Sequence, residues 1–443
     1  MINTRRVSVS AKYNNVDFSE KTGADIESIT YVDSASDNSD SIDITINAQD
    51  SKWMKGWMPE KGSSIKPKIT GKYWGDNGKG THTIKCGRFI LDDITYNDKP
   101  STLTIGGVAK PSNENFSERE RSYVWKNTSI KRIGQTIAER YGLSFTYDAD
   151  DYEIECDEQD DTDSTYFNNL CKNYGLILKI YAKRMFVYDR EAYKEKKYVK
   201  EYEKNDIIEG TLSYNTTLSG TYTGGDFNYT DSDKNIDISC SIGGGAHTMS
   251  VNRKATSVLD ASIQLCADIN NANHGTTTLG FSVHGEWKVS AGQVIRLKGY
   301  SGLNGDYFVD KITHKYDSSS GFTSALECSA IETAYHYWDV GGSIKVHDEK
   351  KSSSTSYQTT SAASNASSKA AGAKAGASVT LKNAPFYPSS TATQKTTSKS
   401  GTFHYYDGIL VSGRYRIAST KDRCGKLPVA KNVVGWVPSS YCS

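Results

Sequence analysis

Apolar and polar residues alternate in short runs near both ends of the first 340 residues of the chain. Ile42, Ile44 and Ile46 alternate with polar neighbours, as do Ile84 and Cys86 and then Leu103 and Ile105. A period of two marks strands with one buried face. Asn77-Gly78 falls between two such runs and predicts a hairpin turn, because both residue types tolerate positive φ. Three segments follow the helical period instead. Residues 129–141 place Ile130, Ile133, Ile137 and Tyr141 on one face, with Thr128 as cap and Gly142 as stop. Residues 164–174 carry Phe167, Leu170, Cys171 and Tyr174 after the acidic entry Asp160, Asp161 and Asp163, which suits the positive end of a helix dipole. Residues 257–270 carry Val258, Leu259, Leu265, Cys266 and Ile269. The first two helices flank strand-like runs at 144–147, 176–181 and 185–188, which predicts a compact α/β insert between two β regions.

The two β regions share a phrase. Gly87-Arg88-Phe89-Ile90-Leu91-Asp92-Asp93-Ile94-Thr95 aligns with Gly305-Asp306-Tyr307-Phe308-Val309-Asp310-Lys311-Ile312-Thr313. Each copy follows a Gly-led strand (62–69 and 292–297) and precedes another (103–108 and 324–330). A glycine turn, an aromatic, an apolar pair and Ile-Thr make a strand with alternating faces. Matching flanks on both sides favour duplication over chance likeness.

Composition sharpens the domain picture. Tyr is frequent at 29 and Pro scarce at 8 in 443 residues, which agrees with aromatic-rich β structure. From about 350 to 378 the chain is Ser, Ala, Gly and Lys with no aromatic after Tyr357, too polar to bury a core and therefore a tether. Formal net charge is +1, so the chain lacks the basic footprint of a nucleic-acid binder or a polybasic membrane patch. Neither a signal peptide nor an apolar run of bilayer length is visible. The expectation is synthesis in the bacterial cytoplasm, with release by lysis.

Candidate chemistry is sparse. The eight cysteines are dispersed, without CxxC pairs or zinc spacing, and read as buried thiols. Cys424 and Cys442 share the C-terminal segment, where an oxidising medium would allow pairing. Nucleophile-elbow, HExxH, phosphate-loop and EF-hand patterns are absent. The acidic run from Asp148 to Asp163 lacks the EF-hand order and reads as a solvated face plus helix-entry acids. No residue pair stands out as catalytic, and no metal or cofactor is expected. Trp53, Met54, Trp57 and Met58 cluster around Gly56; such residues serve equally as core or as the centre of a subunit or tube contact.

At this point the residues resemble a known family. The segments 292–297, 303–309, 312–317 and 322–326, with the phrase Gly305-x-Tyr307-x-Val309 leading to His314-x-Tyr316-Asp317, are similar to the late control D family, the gp27-like baseplate hubs of phage tails. The resemblance covers about residues 1–337. It implies trimers in which each subunit supplies two tail-tube-like barrels, giving a pseudo-sixfold ring that mates with a hexameric tail tube above and a trimeric central spike below. Val379–Tyr387, Gly401–Tyr405, Gly413–Ile417 and Gly435-Trp436-Val437-Pro438 resemble a bacterial SH3-like barrel, which implies contact with peptidoglycan or with another baseplate protein through Tyr387, Tyr405, Tyr415, Trp436 and Tyr441. Several of these must also form the core of so small a domain.

The expected fold is thus mainly β with an α/β insert. It comprises a first tube-like β-barrel (1–112), the inserted α/β domain (113–195), a second tube-like β-barrel with a helix (196–337), a flexible linker (338–377) and an SH3-like domain (378–443). The expected function is a structural, homotrimeric baseplate hub, not an enzyme, with tail tube, central spike and other baseplate proteins as partners. The alternative is a peptidoglycan-active lysin with an SH3-like wall-binding domain. The resemblance leans to a contractile over a non-contractile tail, and the sequence fits an infectious phage, a defective prophage or a tail-like bacteriocin.

Overall fold

The computed structural model describes residues 4–13, 16–17, 26–36, 39–49, 58–74, 79–109, 115–181, 183–232, 234–346, 373–387, 395, 397–411, 413–424 and 433–442. The chain divides into two compact units, Met1–Thr221 with Asn271–Thr333, and Tyr222–Asn270 with Ala334–Ser443.

In the first unit the alternating runs form strands β1 (Arg6–Tyr13), β2 (Val16–Asp17), β3 (Ile26–Ser34), β4 (Ser41–Asn47), β5 (Ser64–Lys72), β6 (Thr81–Lys85), β7 (Phe89–Asn97) and β8 (Thr102–Val108). Ile42, Ile44, Ile46, Leu103 and Ile105 all turn into one core with Ile29, Ile69 and Phe89. The insert follows as α1 (Asn115–Glu118), β9 (Glu120–Ser129), α2 (Ile130–Arg140), β10 (Ser144–Asp148), β11 (Glu153–Thr162), α3 (Asp163–Asn173), β12 (Leu176–Tyr181), β13 (Arg184–Asp189) and α4 (Arg190–Lys194). Helix α2 buries Ile130, Ile133 and Ile137 as its period requires, but its cap is Ser129, whose hydroxyl accepts from the Arg132 N–H. Helix α3 is capped by Thr162. The chain then runs through β14 (Lys200–Tyr202) and β15 (Ser213–Thr216) before leaving this unit.

The second unit begins with β16 (Gly224–Asp231), β17 (Ile236–Gly243), β18 (Thr248–Val251) and α5 (Val258–Asn273). The last turn of α5 carries the chain back to the first unit for β19 (Thr277–Val283), β20 (Val294–Leu297), β21 (Gly305–Asp317) and β22 (Gly321–Ala330). β23 (Gly341–Val346) then pairs with β17 in a sheet ordered β18-β16-β17-β23. On it Phe227, Ile238 and Cys240 pack against Ala261, Leu265 and Ile269 of α5. A second sheet of this unit runs β24 (Ser378–Phe386), β25 (Thr397–Val411), β26 (Arg414–Ala418) and β27 (Val433–Pro438).

The duplication holds at the level of register. In the first copy Ile65 faces Phe89, and in the second Ile295 faces Tyr307, the aligned residue. Between β7 and β8 the register shifts between Leu91 and Asp93; between β21 and β22 it shifts between Val309 and Lys311. The extra residue of the bulge is therefore Asp92 in one copy and Asp310, its counterpart, in the other. Gly107 faces both Leu91 and Ile42, and Cys328 faces both Val309 and Leu279. Tyr31 faces Ile42, and Tyr214 faces Leu279. Strands β3-β4-β8-β7-β5 thus correspond to β15-β19-β22-β21-β20. Bulges fix strand bend and twist, so conserving one to the residue is strong evidence of a shared ancestor.

The expected barrels are not there. Both copies belong to one 14-stranded sheet whose main path runs β15-β19-β22-β21-β3-β4-β8-β7-β5-β1-β2, and no sheet closes on itself among the described residues. The physical reason is that β3 gives its outer edge to β21 of the other copy, over Ser28–Ser34 and Lys311–Asp317, so it has no edge left with which to close its own repeat. The C-terminal sheet is likewise open. Among the described residues β24 and β27 are not ladder partners, and beyond β24 the only bridge is the isolated one between Tyr387 and Trp436; the SH3-like barrel is corrected with the others. The two compact units cut across residues 196–337: 222–270, with all but the last turn of α5, fall in the second unit, and 196–221 with 271–333 in the first. Part of the expected linker is strand β23, and 347–372 lie outside the described residues, as does the Asn77-Gly78 turn.

Gly134 lets the insert close. A Cβ there would overlap the rings of Phe167 and Phe145. Ala would gain up to about 1 kcal/mol of helix propensity, but overpacking costs about 1–3 kcal/mol. Gly134→Ala is expected to lower the urea midpoint with an unchanged slope; a higher midpoint would show that the rings yield.

Candidate assembly interface

The seam between the copies is built from the β3–β21 ladder. His314 stands opposite Tyr31, and the two rings stack at 5.8 Å with 10° between planes. Phe322 stacks on the other face of this column, 6.0 Å from His314. His314 is buried, its Nδ1 is 2.9 Å from Ser324 Oγ, and burial pulls its pKa down to about 4. It is therefore a neutral, structural ring at neutral pH. Ser324 Oγ in turn accepts from the Glu286 N–H at 3.0 Å.

Glu286 organises the turn that follows β19. Its carboxylate accepts from the N–H groups of Trp287, Lys288 and Val289 at 2.9, 2.7 and 3.2 Å, and from Lys200 and the Tyr202 hydroxyl at 2.6 Å each. Burial pushes this carboxyl up, yet these donors together hold it below its ordinary value. The turn aims Trp287 at the first copy. A Cβ on Gly71 would overlap Trp287, and one on Gly285 would overlap Trp74. The two indoles, 5.5 Å apart and edge to face, are seated across the seam only because both positions are glycine.

A second polar centre joins the insert to both copies. Lys179 of β12 is ion-paired with Asp33 of β3 and lies 3.5 Å from Asp40. Asp33 also accepts from the Ala291 N–H at 3.0 Å, and Asp40 from the Ser34 N–H at 3.2 Å. Burial, opposed by Lys179 and reinforced by Asp33, pushes Asp40 up to about 6. Beside it Ala35, Ile177, Tyr188 and Phe308 pack together, and the Tyr188 hydroxyl donates to the Ala35 carbonyl at 2.8 Å.

The residues singled out from sequence are distributed unevenly. Trp53, Met54 and Trp57 lie outside the described residues; Met58 is 41% exposed. In the C-terminal sheet Tyr387 and Trp436 exchange two backbone hydrogen bonds of 2.9 Å. Arg414 sits 3.6 Å over the Tyr387 ring and Arg416 4.9 Å over Trp436. Tyr441 is exposed. Tyr405 packs edge to face on Tyr415 at 4.9 Å, and Tyr415 is core. Cys424 and Cys442 are free thiols.

Sequence reasoning missed the buried carboxylates. The acidic run contains strand β11, paired with β9, and it ends on Asp163, fully buried among Arg121, Arg140, the Tyr141 hydroxyl and Gln159. Burial pushes Asp163 up, but these partners hold it below its ordinary value. The basic partners stand 42 and 23 residues away, so no local spacing announced them. Two open edges were also missed. Among the described residues no strand pairs with the outer edge of β15, nor with that of Asp93–Asn97 in β7. Tyr96, Tyr214 and Leu218 on or beside these edges are exposed. Among the described residues no group of His, Cys, Asp and Glu is placed to hold a metal ion, and no helix is long and apolar enough to cross a membrane.

The fold is similar to that of solved tail proteins. Over 73% of this chain it matches the 43 kDa tail protein of prophage MuSo2 from Shewanella oneidensis, with 98% of that chain covered, a TM-score of 0.56 and 11% identity. The tail protein from Neisseria meningitidis MC58 matches over 73% of this chain and 96% of its own, also at TM-score 0.56 and 11% identity. No protein-family model matches the sequence, and no curated protein matches it. The chain therefore has a tail-protein fold.

Lys179→Met would leave Asp33 and Asp40 buried without their cation, a change that costs about 3–5 kcal/mol. Its size should depend on pH. The folded pKa of Asp40 is raised, so its protonation favours the fold: that contribution is full below 3.8 and is lost as pH rises through about 6. Without Lys179 the carboxyl rises further. Urea titrations are expected to show a large loss at pH 8 and a smaller one at pH 5; an equal loss at both would mean that Asp40 does not take up the proton.

Proposed function

We propose that this chain is a structural, trimer-forming component of a phage tail or tail-like particle, and within it the hub that joins a hexameric tail tube to a trimeric central spike. The observation that carries the reading is the duplication to the residue of register and bulge, in a chain whose fold is shared with tail proteins. Three copies of a twice-repeated sheet present six equivalent surfaces to one neighbour while keeping threefold symmetry for the other. Equivalent contacts then repeat around one axis and modest interfaces add. The buried ionisable groups support a non-enzymatic role: His314, Glu286, Asp33 and Asp163 are each used up in packing or charge pairing.

Two further surfaces belong to this reading. The C-terminal sheet, with Tyr387 and Trp436 side by side and Tyr441 exposed, is the part offered to peptidoglycan or to another baseplate protein. The segment around Trp53, Met54, Trp57 and Met58 is the one offered to a subunit or to the tube.

Light scattering on the full chain, 48.8 kDa as a single copy, is expected to give three copies. The same preparation is expected to leave peptidoglycan uncut. Turbidity loss on cell-wall suspensions, abolished by no change at the seam, would instead favour the lysin reading.

A further inference from the structure

The internal seam is a template for a seam between chains. Within one chain β3 of the first copy lies on β21 of the second. The counterpart of β3 is β15, and the counterpart of β21 is β7. Among the described residues both of these leave the edge at the matching place unpaired. β21 uses its first residues to pair with β20 and its later ones to pair with β3; β7 uses its first residues to pair with β5, and its later ones, Asp93–Asn97, are unpaired on that side among the described residues. We infer that β15 of one chain pairs with the outer edge of β7 of a second copy, antiparallel, with Tyr214 opposite Tyr96. The inference rests on the trimer reading and specifies its interface.

The register is not a free choice. Transferring the β3–β21 pairs through the correspondence sets Thr217 opposite Asp93, Thr216 opposite Ile94, Asn215 opposite Thr95, Tyr214 opposite Tyr96 and Ser213 opposite Asn97. No like charges face each other in these pairs, which would be destabilising. The pair at the position of the stacked Tyr31 and His314 becomes two tyrosines. Tyr31 and His314 are 8% and 3% exposed, whereas Tyr214 and Tyr96 are 41% and 36% exposed in the single chain. The bulge tells the same story. The Asp310 carbonyl accepts from the Ala35 N–H at 2.8 Å, and Ala35 is buried. The counterparts are Asp92 and Leu218, and Leu218 is 69% exposed. Side chains that are buried at the internal seam are thus bare at the positions where the second seam falls.

The β15 edge is also unguarded among the described residues. A lone edge strand is normally blunted by charge, proline or a covering element, and Ser213–Thr216 has neither charge nor proline. Thr217 donates its N–H to Thr276 on the β19 side, so by alternation the N–H groups of Tyr214 and Thr216 point to the open edge. The contact is head-to-tail, because each chain offers β15 to one neighbour and β7 to the other, and such contacts close into rings when the rotation permits.

Antiparallel neighbours have Cα spacings that suit a disulfide. Mild oxidation of the double variant Y96C/Y214C is expected to give covalent species of up to three chains on a non-reducing gel, while wild type and either single variant remain single chains. Thr216→Pro, which removes one outward donor, and Leu218→Glu, exposed in the single chain, are each expected to lower the scattering mass threefold. If the double variant fails to cross-link while Leu218→Glu remains folded and trimeric, the pairing is wrong and the trimer stands. A wild-type chain that is a single copy by mass overturns both.

Discussion

The pairing of β3 with β21 is the constraint on which the larger unit depends. A slip of one residue in an antiparallel ladder turns every side chain to the opposite face. Here such a slip would take Tyr31 off the His314 ring and carry Asp33 away from Lys179. The aromatic column supplies apolar contact, whereas the charged centre supplies selectivity. A buried ion pair contributes little net stability against an apolar substitute, yet leaving one partner alone is costly. Asp33, Asp40 and Lys179 therefore act chiefly by penalising every register except the one observed. Because Lys179 comes from the insert, and Ala291 from the second copy donates to the same Asp33, three parts of the chain are fixed by one carboxylate.

The two copies have kept what their shared register needs and diverged elsewhere. The bulged aspartate is retained in both, but Asp310 is held by His274 and Ser329 at 2.7 and 2.5 Å, while Asp92 is exposed on its strand. Outer strands differ as well: β1 runs antiparallel to β5, and β14 runs parallel to β20. The core pairs such as Ile65 with Phe89 and Ile295 with Tyr307 tolerate only similar shapes. At the periphery the chain is free to carry an insert between the two copies, and the second copy to be interrupted by a second unit.

Much of this was legible from sequence, and the rest was not for identifiable reasons. The strands, the three helices and the duplication were readable because alternation, helical period and a nine-residue phrase are local patterns. Closure was misjudged because a strand's sequence records that one face is buried and says nothing of which strand takes its edge; Ile29, Tyr31 and Val32 would read the same in a barrel. The acidic run reads as solvated because ten acids within the sixteen residues 148–163 resemble a surface, although Gln159 and Asp163 within it are buried. Their partners are remote in the chain. Among the aromatics proposed as contacts, Tyr415 on β26 proves to be core and Tyr441, in the 3-10 turn that follows β27, is surface, a division that depends on position in the fold and not on residue type.

An open sheet explains more than a pair of closed barrels would. In a closed barrel every backbone donor and acceptor of the ladder is satisfied inside the repeat, and association with another copy would have to rely on side chains alone. An open repeat leaves one edge at each end. Within the chain, the edge of β3 is satisfied by the second copy, and nothing in the chain's described residues performs that service for β15. Outward backbone groups and an exposed tyrosine, Tyr214, on the same four residues are two costs with one remedy. Duplication without closure thus turns a local folding rule, that strand edges need partners, into a directional instruction for assembly.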